Sequence, residues 1–226
     1  MSPMIDHPSA EDFRDTPYGR QLHSGFRLLR FKSELEREFR QYLDRHARTS
    51  QRLAALLLII AVSGYLYVEH RLFSLADTGW LATLTLLRIL QILPGVVVLV
   101  LTFYSRTFRA QANRIFPVLL VLIGIIAALI DIRFEALGTE LNFRYGAGLL
   151  IVSSFFFLGV TFWWALLCAV LIVVADVLIA GLILTPEQMP EHWIAVSYYL
   201  LLLIIGAISR YVHEYSQRDQ FLMRKL

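Results

Sequence analysis

The feature that most constrains the fold is a run of forty residues, Tyr145–Leu184, that contains no Lys, Arg, Glu or Pro. As a single helix this run would be about 60 Å long, roughly twice the ~30 Å thickness of the bilayer hydrocarbon. The run must therefore fold back once. Glycine and two tryptophans, which favour the membrane interface, place the predicted turn within Gly159–Trp164.

The composition of the whole chain also indicates a membrane protein. Hydrophobic residues make up 57% of the 226 residues, and the mean hydropathy is +0.59. Soluble domains are typically about 45–50% apolar even when glycine is counted. We therefore predict an all-α membrane protein whose residues 53–209 form six transmembrane helices. The six apolar segments are Leu53–Val68, Trp80–Tyr104, Ile115–Ile130, Tyr145–Thr161, Phe162–Leu184 and Trp193–Ser209.

The distribution of basic residues predicts the orientation of these spans. Lys and Arg are frequent before the first span, between the second and third spans, and after the sixth. The opposite side has only Arg71, Arg133 and Arg144. Basic residues that flank spans stay in the cytoplasm, so both termini are predicted to be cytoplasmic.

The amino-terminal region is divided into a tail and a helix. Residues 1–32 mix Pro, Gly, Ser, His and charges without a period, which predicts a mobile cytoplasmic tail. The sequence SELE at Ser33–Glu36 is a capping-box pattern and predicts an amphipathic cytoplasmic helix over residues 33–52. Leu35, Phe39 and Tyr42 lie on one face of it. This helix either rests on anionic headgroups or continues the first span and packs against the carboxy-terminal helix.

The carboxy-terminal residues 210–226 continue the sixth span without Gly or Pro. We predict that they begin a signalling helix that leads to an effector domain beyond Leu226. The residues at coiled-coil spacing, which predict a homodimer contact, are Val212, Tyr215, Leu222 and Leu226. The alternative is a basic helix end whose side chains reach the membrane surface.

Two charged residues lie inside the predicted spans, where insertion costs roughly 2.5–3.5 kcal/mol each. Arg88 and Asp176 have opposite signs and both lie about 12 Å below the outer surface. They form either an interhelical ion pair or a pocket for a small acidic or zwitterionic ligand. The further residues predicted to line that pocket are Gln91, Asp131, Arg133 and Arg144.

No pattern of residues predicts catalysis within this segment. None of the six histidines lies inside a predicted span, and the single Cys168 provides neither a disulfide nor a cysteine metal site. The sequence has no Walker loop or GxGxxG motif. We therefore predict no catalytic residue, metal, cofactor or nucleic-acid partner for these residues.

Three stretches resemble a known family. They are LEREFRQYLDRHARTSQR at Leu35–Arg52, YGAGLLIVSSFFFLGVTF at Tyr145–Phe162 and YVHEYSQRDQFLMRKL at Tyr211–Leu226. Together they resemble the six-span membrane-associated sensor domains that precede bacterial nucleotide cyclases. The resemblance implies a homodimer in the lipid of a bacterial inner membrane, joined by a coiled coil to a cytoplasmic cyclase.

The resemblance also implies an effector, most often a GGDEF diguanylate cyclase that makes cyclic di-GMP. Its Mg and GTP would bind that domain alone, because no GGDEF sequence occurs here. The alternatives are a small-solute transporter and a membrane scaffold without a ligand. Transporters usually place polar groups near the membrane midplane in two related halves, whereas Arg88 and Asp176 are off-centre and no clear repeat surrounds them.

Overall fold

A computed structural model of the chain describes residues 16–73, 78–104, 106–136, 146–156 and 160–226. All regular secondary structure within these residues is helical, as predicted. The helices are α1 Pro17–Ser24, α2 Ser33–Phe73, α3 Thr78–Tyr104, α4 Arg106–Ala136, α5 Gly146–Phe156, α6 Phe162–Ile183 and α7 Met189–Met223, with a short 3-10 turn at Arg27–Leu29.

Five helices are long and apolar enough to cross a bilayer. The candidate spans are Thr49–Arg71, Trp80–Phe103, Ile115–Ala136, Phe162–Ile183 and Met189–Met223. The forty-residue run is divided as predicted, because α5 ends at Phe156 and α6 begins at Phe162. The described α5 has 11 residues and is about 17 Å long, so it is shorter than the hydrocarbon core.

Small residues allow the apolar helices to approach closely. A Cβ atom added to Gly124 of α4 would lie 2.5 Å from Cγ1 of Ile172 on α6. A Cβ atom on Gly206 of α7 would overlap the ring of Phe155 on α5. Close approach maximises dispersion contacts, which matter in lipid because burial from water no longer drives helix association. These glycines therefore fix α6 on α4 and α7 on α5.

Residues 16–32 contain α1 and the 3-10 turn, whereas the prediction for residues 1–32 was a mobile tail; residues 1–15 lie outside the described residues. Thr16 caps α1, since its Oγ1 accepts a hydrogen bond from the Gly19 backbone N–H at 3.0 Å. Phe26, Leu29 and Phe31 are buried against α2 and α7. Burial of these three side chains orders a segment whose composition alone indicates mobility.

The 3-10 turn contains an unusual backbone conformation. Leu28 and Leu29 both have a φ angle of 55°, in the left-handed region that costs a residue with a Cβ atom roughly 1–2 kcal/mol. Leu29 is only 1% exposed, and the Leu28 carbonyl accepts a hydrogen bond from Nε1 of Trp163 at 3.3 Å. Burial and this hydrogen bond therefore hold the turn against α6.

Helix α2 is uninterrupted over 41 residues, so the predicted amphipathic helix and the first span are one helix. Leu35 and Phe39 share a buried apolar cluster with Phe221 and Leu222 of α7. The ring centroids of Phe39 and Phe221 are 5.6 Å apart. The structure thus places the start of α2 against the carboxy-terminal helix, and the two described ends of the chain meet at one end of the bundle.

Candidate functional site

A buried group of polar side chains, the Arg88 cluster, comprises Glu69, Arg88 and Gln91. Nε of Arg88 lies 3.1 Å from both carboxylate oxygens of Glu69, and Nη2 donates a further hydrogen bond to Oε1. Nη1 of Arg88 donates to Oε1 of Gln91 at 2.9 Å. All three residues are at most 3% exposed. The Glu69 carboxylate therefore neutralises the Arg88 charge inside the bundle.

The predicted pairing of Arg88 with Asp176 is wrong, because Arg88 binds Glu69. Arg88 lies on α3, which packs on α2 and α4, whereas Asp176 lies on α6, which packs on α4, α5 and α7. Equal depth in the membrane did not bring the two together because their helices are not neighbours. The first predicted span ends at Val68, one residue before Glu69, so Glu69 was not among the predicted pocket residues.

Asp176 instead belongs to a second buried group, the His192 cluster, which comprises Glu135, Asp176 and His192. Nδ1 of His192 lies 3.0 Å from Oε2 of Glu135, and Nε2 lies 3.1 Å from Oδ2 of Asp176. Glu135 is 8% exposed, Asp176 is 1% exposed and His192 is 2% exposed. One imidazole therefore contacts a carboxylate on each side and connects α7 to both α4 and α6.

Asp131, predicted to line a ligand pocket, has a structural partner. Its Oδ2 accepts a hydrogen bond from the backbone N–H of Ala147 at 3.1 Å, next to the first residue of α5. A carboxylate at this position satisfies a free N–H group and is attracted to the positive end of the helix dipole. Arg133 is exposed, and Arg144 lies outside the described residues.

A cavity of about 280 Å³ lies between α2, α3, α4 and α5. Arg88 and Gln91 line it, whereas Asp131, Arg133 and Asp176 do not. The other lining side chains are almost all apolar. Of the predicted pocket residues that the structure describes, only Arg88 and Gln91 meet at this cavity.

The third buried group, the Arg218 cluster, lies where the two ends of the described chain meet. It comprises Glu36, Glu214 and Arg218. Nη1 of Arg218 donates to Oε2 of Glu36 at 2.7 Å, and Nη2 donates to Oε1 of Glu214 at 2.8 Å. The guanidinium carbon lies 4.8 Å from the Phe31 ring centroid and 4.3 Å from that of Phe39. Arg218 is 1% exposed, and Glu214 is equally buried, whereas the Glu36 side chain is 15% exposed. The pair with Glu214 is therefore shielded from water, and the pair with Glu36 is partly accessible to it.

The Arg218 cluster also contacts the beginning of α6. Oε2 of Glu214 accepts a hydrogen bond from the backbone N–H of Phe162, the first residue of α6. Nη2 of Arg210 donates to the carbonyl oxygen of Val160. Side chains of α7 therefore satisfy backbone groups of the α5–α6 connection that no helix could satisfy internally.

Arg218 changes the acidity of Glu36. Burial acts to raise the pKa of this carboxyl, but hydrogen bonds from Arg218, from the Phe31 backbone N–H and from Arg40 outweigh burial. The pKa of Glu36 is therefore lowered from its ordinary value. The carboxylate form of Glu36 stabilises the contact between α2 and α7.

The predicted coiled-coil residues do not form one exposed face. Val212 and Tyr215 are 61% and 47% exposed, but Leu222 is fully buried within the chain. Leu226 is partly exposed and lies beyond the last residue of α7. Phe26 contacts the Tyr215 ring at a centroid distance of 4.5 Å. Leu222 lies in one buried cluster with Phe26 and Leu29 of the same chain, and a contact of the four residues with a second chain stays a prediction.

The amino-terminal residues predicted for signal transmission face α7 of the same chain. Leu35 and Phe39 are buried there, and the Tyr42 ring centroid is 5.5 Å from that of Phe221. Nη1 of Arg224 donates to the Tyr42 hydroxyl at 3.2 Å. These residues therefore connect the beginning of α2 to the end of α7.

Six residues of these clusters were not among the predicted site residues: Glu36, Glu69, Glu135, His192, Glu214 and Arg218. Glu135 and His192 were placed in the segments between spans. Glu214 lies four residues before Arg218, and this spacing is typical of an ion pair on a helix surface. That spacing could have identified one half of the Arg218 cluster.

No three His, Cys, Asp or Glu side chains among the described residues are grouped so as to hold a metal ion. Cys168 is a buried free thiol. No protein-family model matches the chain. No curated protein sequence is significantly similar to it.

Proposed function

We propose that this chain is the sensory input domain of a membrane-bound signalling protein. In this proposal six spans cross a bacterial inner membrane, α5 belongs to the fourth of them, and both termini are cytoplasmic. Helix α7 continues into an effector domain. The resemblance of the sequence to sensor domains of nucleotide cyclases favours a GGDEF diguanylate cyclase, which makes cyclic di-GMP from GTP with Mg in its own active site.

One observation carries this proposal. A single uninterrupted helix, α7, contains both His192 of one buried cluster and Arg218 of another. At 1.5 Å per residue the two positions are about 39 Å apart along the helix. A change in how His192 sits between Asp176 and Glu135 would therefore turn or shift the whole helix, and Arg218 with it.

The position of the chain ends supports an output on one side of the membrane. Glu36 at the start of α2 binds Arg218 near the end of α7. Basic residues are frequent before the first predicted span and after the sixth, on the side where Glu36 and Arg218 meet. This distribution favours a cytoplasmic position for that side. An effector attached beyond Leu226 would then lie beside the folded amino-terminal segment.

A homodimer is part of the proposal. The exposed residues Ile208, Val212 and Tyr215 recur at spacings of four and three along one face of α7. Two copies of this face would bring two effector domains together. The cyclase product joins two GTP molecules, so two catalytic domains must meet face to face, and rotation of α7 would change how they meet.

The proposal is tested by fusing residues 1–226 to a diguanylate cyclase domain and measuring cyclic di-GMP in cells. Insertion of one, two or three alanines after Leu226 rotates the cyclase by about 100° per residue. We expect several-fold differences in output that depend on the number inserted. Output that is indifferent to all three insertions would contradict transmission through α7.

A matched pair of variants connects the output to the His192 cluster. His192→Gln in the fusion removes the imidazole that contacts both Asp176 and Glu135, and we expect output to change several-fold at equal protein level. Trp193→Phe is the control, because Trp193 is 51% exposed and next to His192. A membrane scaffold would lose stability in His192→Gln without a change in output per folded molecule, and a transporter would show solute uptake that depends on His192.

A further inference from the structure

We propose that the cavity between α2, α3, α4 and α5 binds an uncharged alkyl chain. This inference rests on the proposed function, since the bound chain would be the signal that the input domain receives. The cavity volume of about 280 Å³ is close to the lower end of ligand pockets, which are typically about 300–1,000 Å³. An empty apolar cavity of this size forfeits dispersion contacts that a bound chain would restore.

The cavity is long and has two different ends. Along α2 its lining extends from Ala54 to Tyr65, which is about 16 Å of helix. Tyr65, Arg88 and Gln91 lie at one end, where the Arg88 guanidinium faces the Tyr65 ring at 5.1 Å. Only one lining residue toward the other end, Ser153, is polar. A linear molecule with a polar group at one terminus fits this arrangement.

The charges at the polar end determine the class of ligand. The Arg88 charge is neutralised by Glu69, and Gln91 accepts a hydrogen bond from Arg88 and donates one to the Ile123 carbonyl oxygen at 3.3 Å. An anionic group placed here would have to compete with Glu69 and would leave a carboxylate unpaired in lipid. The ligand is therefore uncharged, in contrast to the acidic or zwitterionic molecule predicted from the sequence.

The cavity opens sideways between α2 and α5. Leu57 of α2 and Leu149 of α5 line it and are 42% and 51% exposed. Leu57 lies in a candidate membrane span and Leu149 in a shorter apolar helix. Exposed leucines on such helices face hydrocarbon, so the opening leads into the lipid phase. The alkyl chain comes either from a membrane lipid or from an apolar small molecule dissolved in the bilayer.

The test is photolabelling of the full chain in nanodiscs with three probes that carry a diazirine on the alkyl chain. These are dodecanol, dodecanoic acid and a diacylglycerol, which is a lipid with an uncharged head group. We expect dodecanol or the lipid to label peptides of α2 and α5 that line the cavity, and to do so at least fivefold more than dodecanoic acid. Dominant dodecanol labelling indicates a dissolved molecule, and dominant lipid labelling indicates an acyl chain of the membrane. Strongest labelling by dodecanoic acid would overturn the uncharged class.

Two serines provide a matched pair of variants. Ser153 lines the cavity, and its hydroxyl donates to the Leu149 carbonyl oxygen at 2.7 Å. Ser197 of α7 is exposed outside the cavity, and its hydroxyl donates to the Ile194 carbonyl oxygen at 2.6 Å. We expect Ser153→Phe to reduce cavity labelling at least fivefold and Ser197→Phe to leave it unchanged. Equal labelling in both variants would overturn the proposal.

A second variant covers the case in which Ser153→Phe fails to fold. Ala61→Phe enters the same cavity from α2, and its control is Ser63→Phe, which is exposed outside it. The same fivefold loss is expected for Ala61→Phe alone. Labelling uses the chain without an effector. If the unaltered chain is not labelled at the cavity but the output of its cyclase fusion depends on the number of inserted residues, only this inference is overturned. If the unaltered chain is labelled as expected but the output does not depend on the insertions, only the proposed function is overturned.

Discussion

At one end of the bundle, the Arg88 and His192 clusters join helices that already pack side by side within candidate membrane spans. At the other end, the Arg218 cluster joins segments that lie 182 positions apart in the chain and are partly outside those spans. The Glu69 carboxylate is fully buried, whereas that of Glu36 is 15% exposed. A buried pair in lipid is costly to break, while a partly exposed pair can be opened by water.

The three clusters therefore have different structural roles. The Arg88 and His192 clusters fix which helices are neighbours. The Arg218 cluster fixes how the start of α2 meets the end of α7, and we expect its release to leave the membrane helices together. Release would expose Leu222 and the adjoining apolar residues, which would then be available to a second chain.

The largest expected effect comes from breaking the Arg88 cluster. Glu69→Leu leaves the Arg88 charge buried and uncompensated, and we expect it to lower the free energy of unfolding by about 3–5 kcal/mol. The double variant Glu69→Leu/Arg88→Met removes both charges and should recover most of this loss. The measurement is the unfolding midpoint in mixed micelles titrated with dodecyl sulfate.

The control for this prediction is Glu187→Leu, because Glu187 is exposed in the turn before α7. It should change the free energy of unfolding by about 0.5 kcal/mol or less. If the double variant is no more stable than Glu69→Leu, the uncompensated Arg88 charge is not the cause of the loss in the single variant.

Breaking the Arg218 cluster should have a smaller and more local effect. Arg218→Gln removes two ion pairs, and we expect a loss of about 2–4 kcal/mol together with release of the amino-terminal segment. Trypsin should then cut at Arg20 and Arg30 at least tenfold faster. Arg224→Gln is the control, because Arg224 is exposed and its guanidinium donates a hydrogen bond to the neutral Tyr42 hydroxyl.

Glu69→Leu serves as the opposite control for that proteolysis. It should destabilise the bundle more than Arg218→Gln does and yet leave cleavage at Arg20 and Arg30 under native conditions unchanged. Faster cleavage in both variants would mean that the two ends of the bundle unfold as one unit, which would remove the distinction between them.

The contact between α5 and α7 lies between the two ends and gives a smaller effect. Gly206→Ala places a methyl group against the Phe155 ring, and overpacking of this kind typically costs about 1–3 kcal/mol. Gly181→Ala is the control, since a Cβ atom there meets nothing within 4 Å, and it should be neutral or stabilising by up to about 1 kcal/mol. Thermal denaturation in detergent measures both variants.

A second-site change makes this prediction sharper. Phe155→Leu provides room for the methyl group, so Gly206→Ala/Phe155→Leu should be more stable than the sum of the two single changes predicts. Strict additivity would show that the Phe155 ring can move aside at no cost, and that α7 is held against α5 elsewhere.

The apolar helices were predicted well because each follows from one continuous apolar stretch of the sequence. Helix α6 begins at Phe162 as predicted, and the division of the forty-residue run follows from length alone. The same reasoning failed for the partners of Arg88 and Asp176. Depth in the membrane can be counted from the ends of a span, but the direction in which a side chain points depends on helix rotation and on which helices are neighbours.

The folded amino-terminal segment was missed for a related reason. Residues 16–32 have the composition of a mobile tail, and their few apolar side chains are buried in a cluster with residues of α2 and with Phe221 and Leu222 of α7. The α7 part of this cluster lies nearly two hundred positions later in the chain. Local composition contains no record of such a contact, whereas the cap at Thr16 and Pro17 was visible and could have indicated α1.

The smallest expected effect is a pH dependence of the Arg218 cluster. The pKa of Glu36 is lowered in the folded protein, so its carboxylate contributes stability above the ordinary glutamate pKa of about 4.3. That contribution is lost as the pH falls below this value and through the lower pKa of the folded state. Because Glu36 is partly exposed, we expect a loss of about 1 kcal/mol or less.

Amide hydrogen exchange of residues 16–32 measures this effect. Exchange should accelerate on acidification relative to Glu36→Gln at the same pH. That variant is the control, because it shares the intrinsic pH dependence of exchange and lacks the titrating group. Identical exchange profiles in the two proteins would show that the charge on Glu36 does not hold the amino-terminal segment against α7.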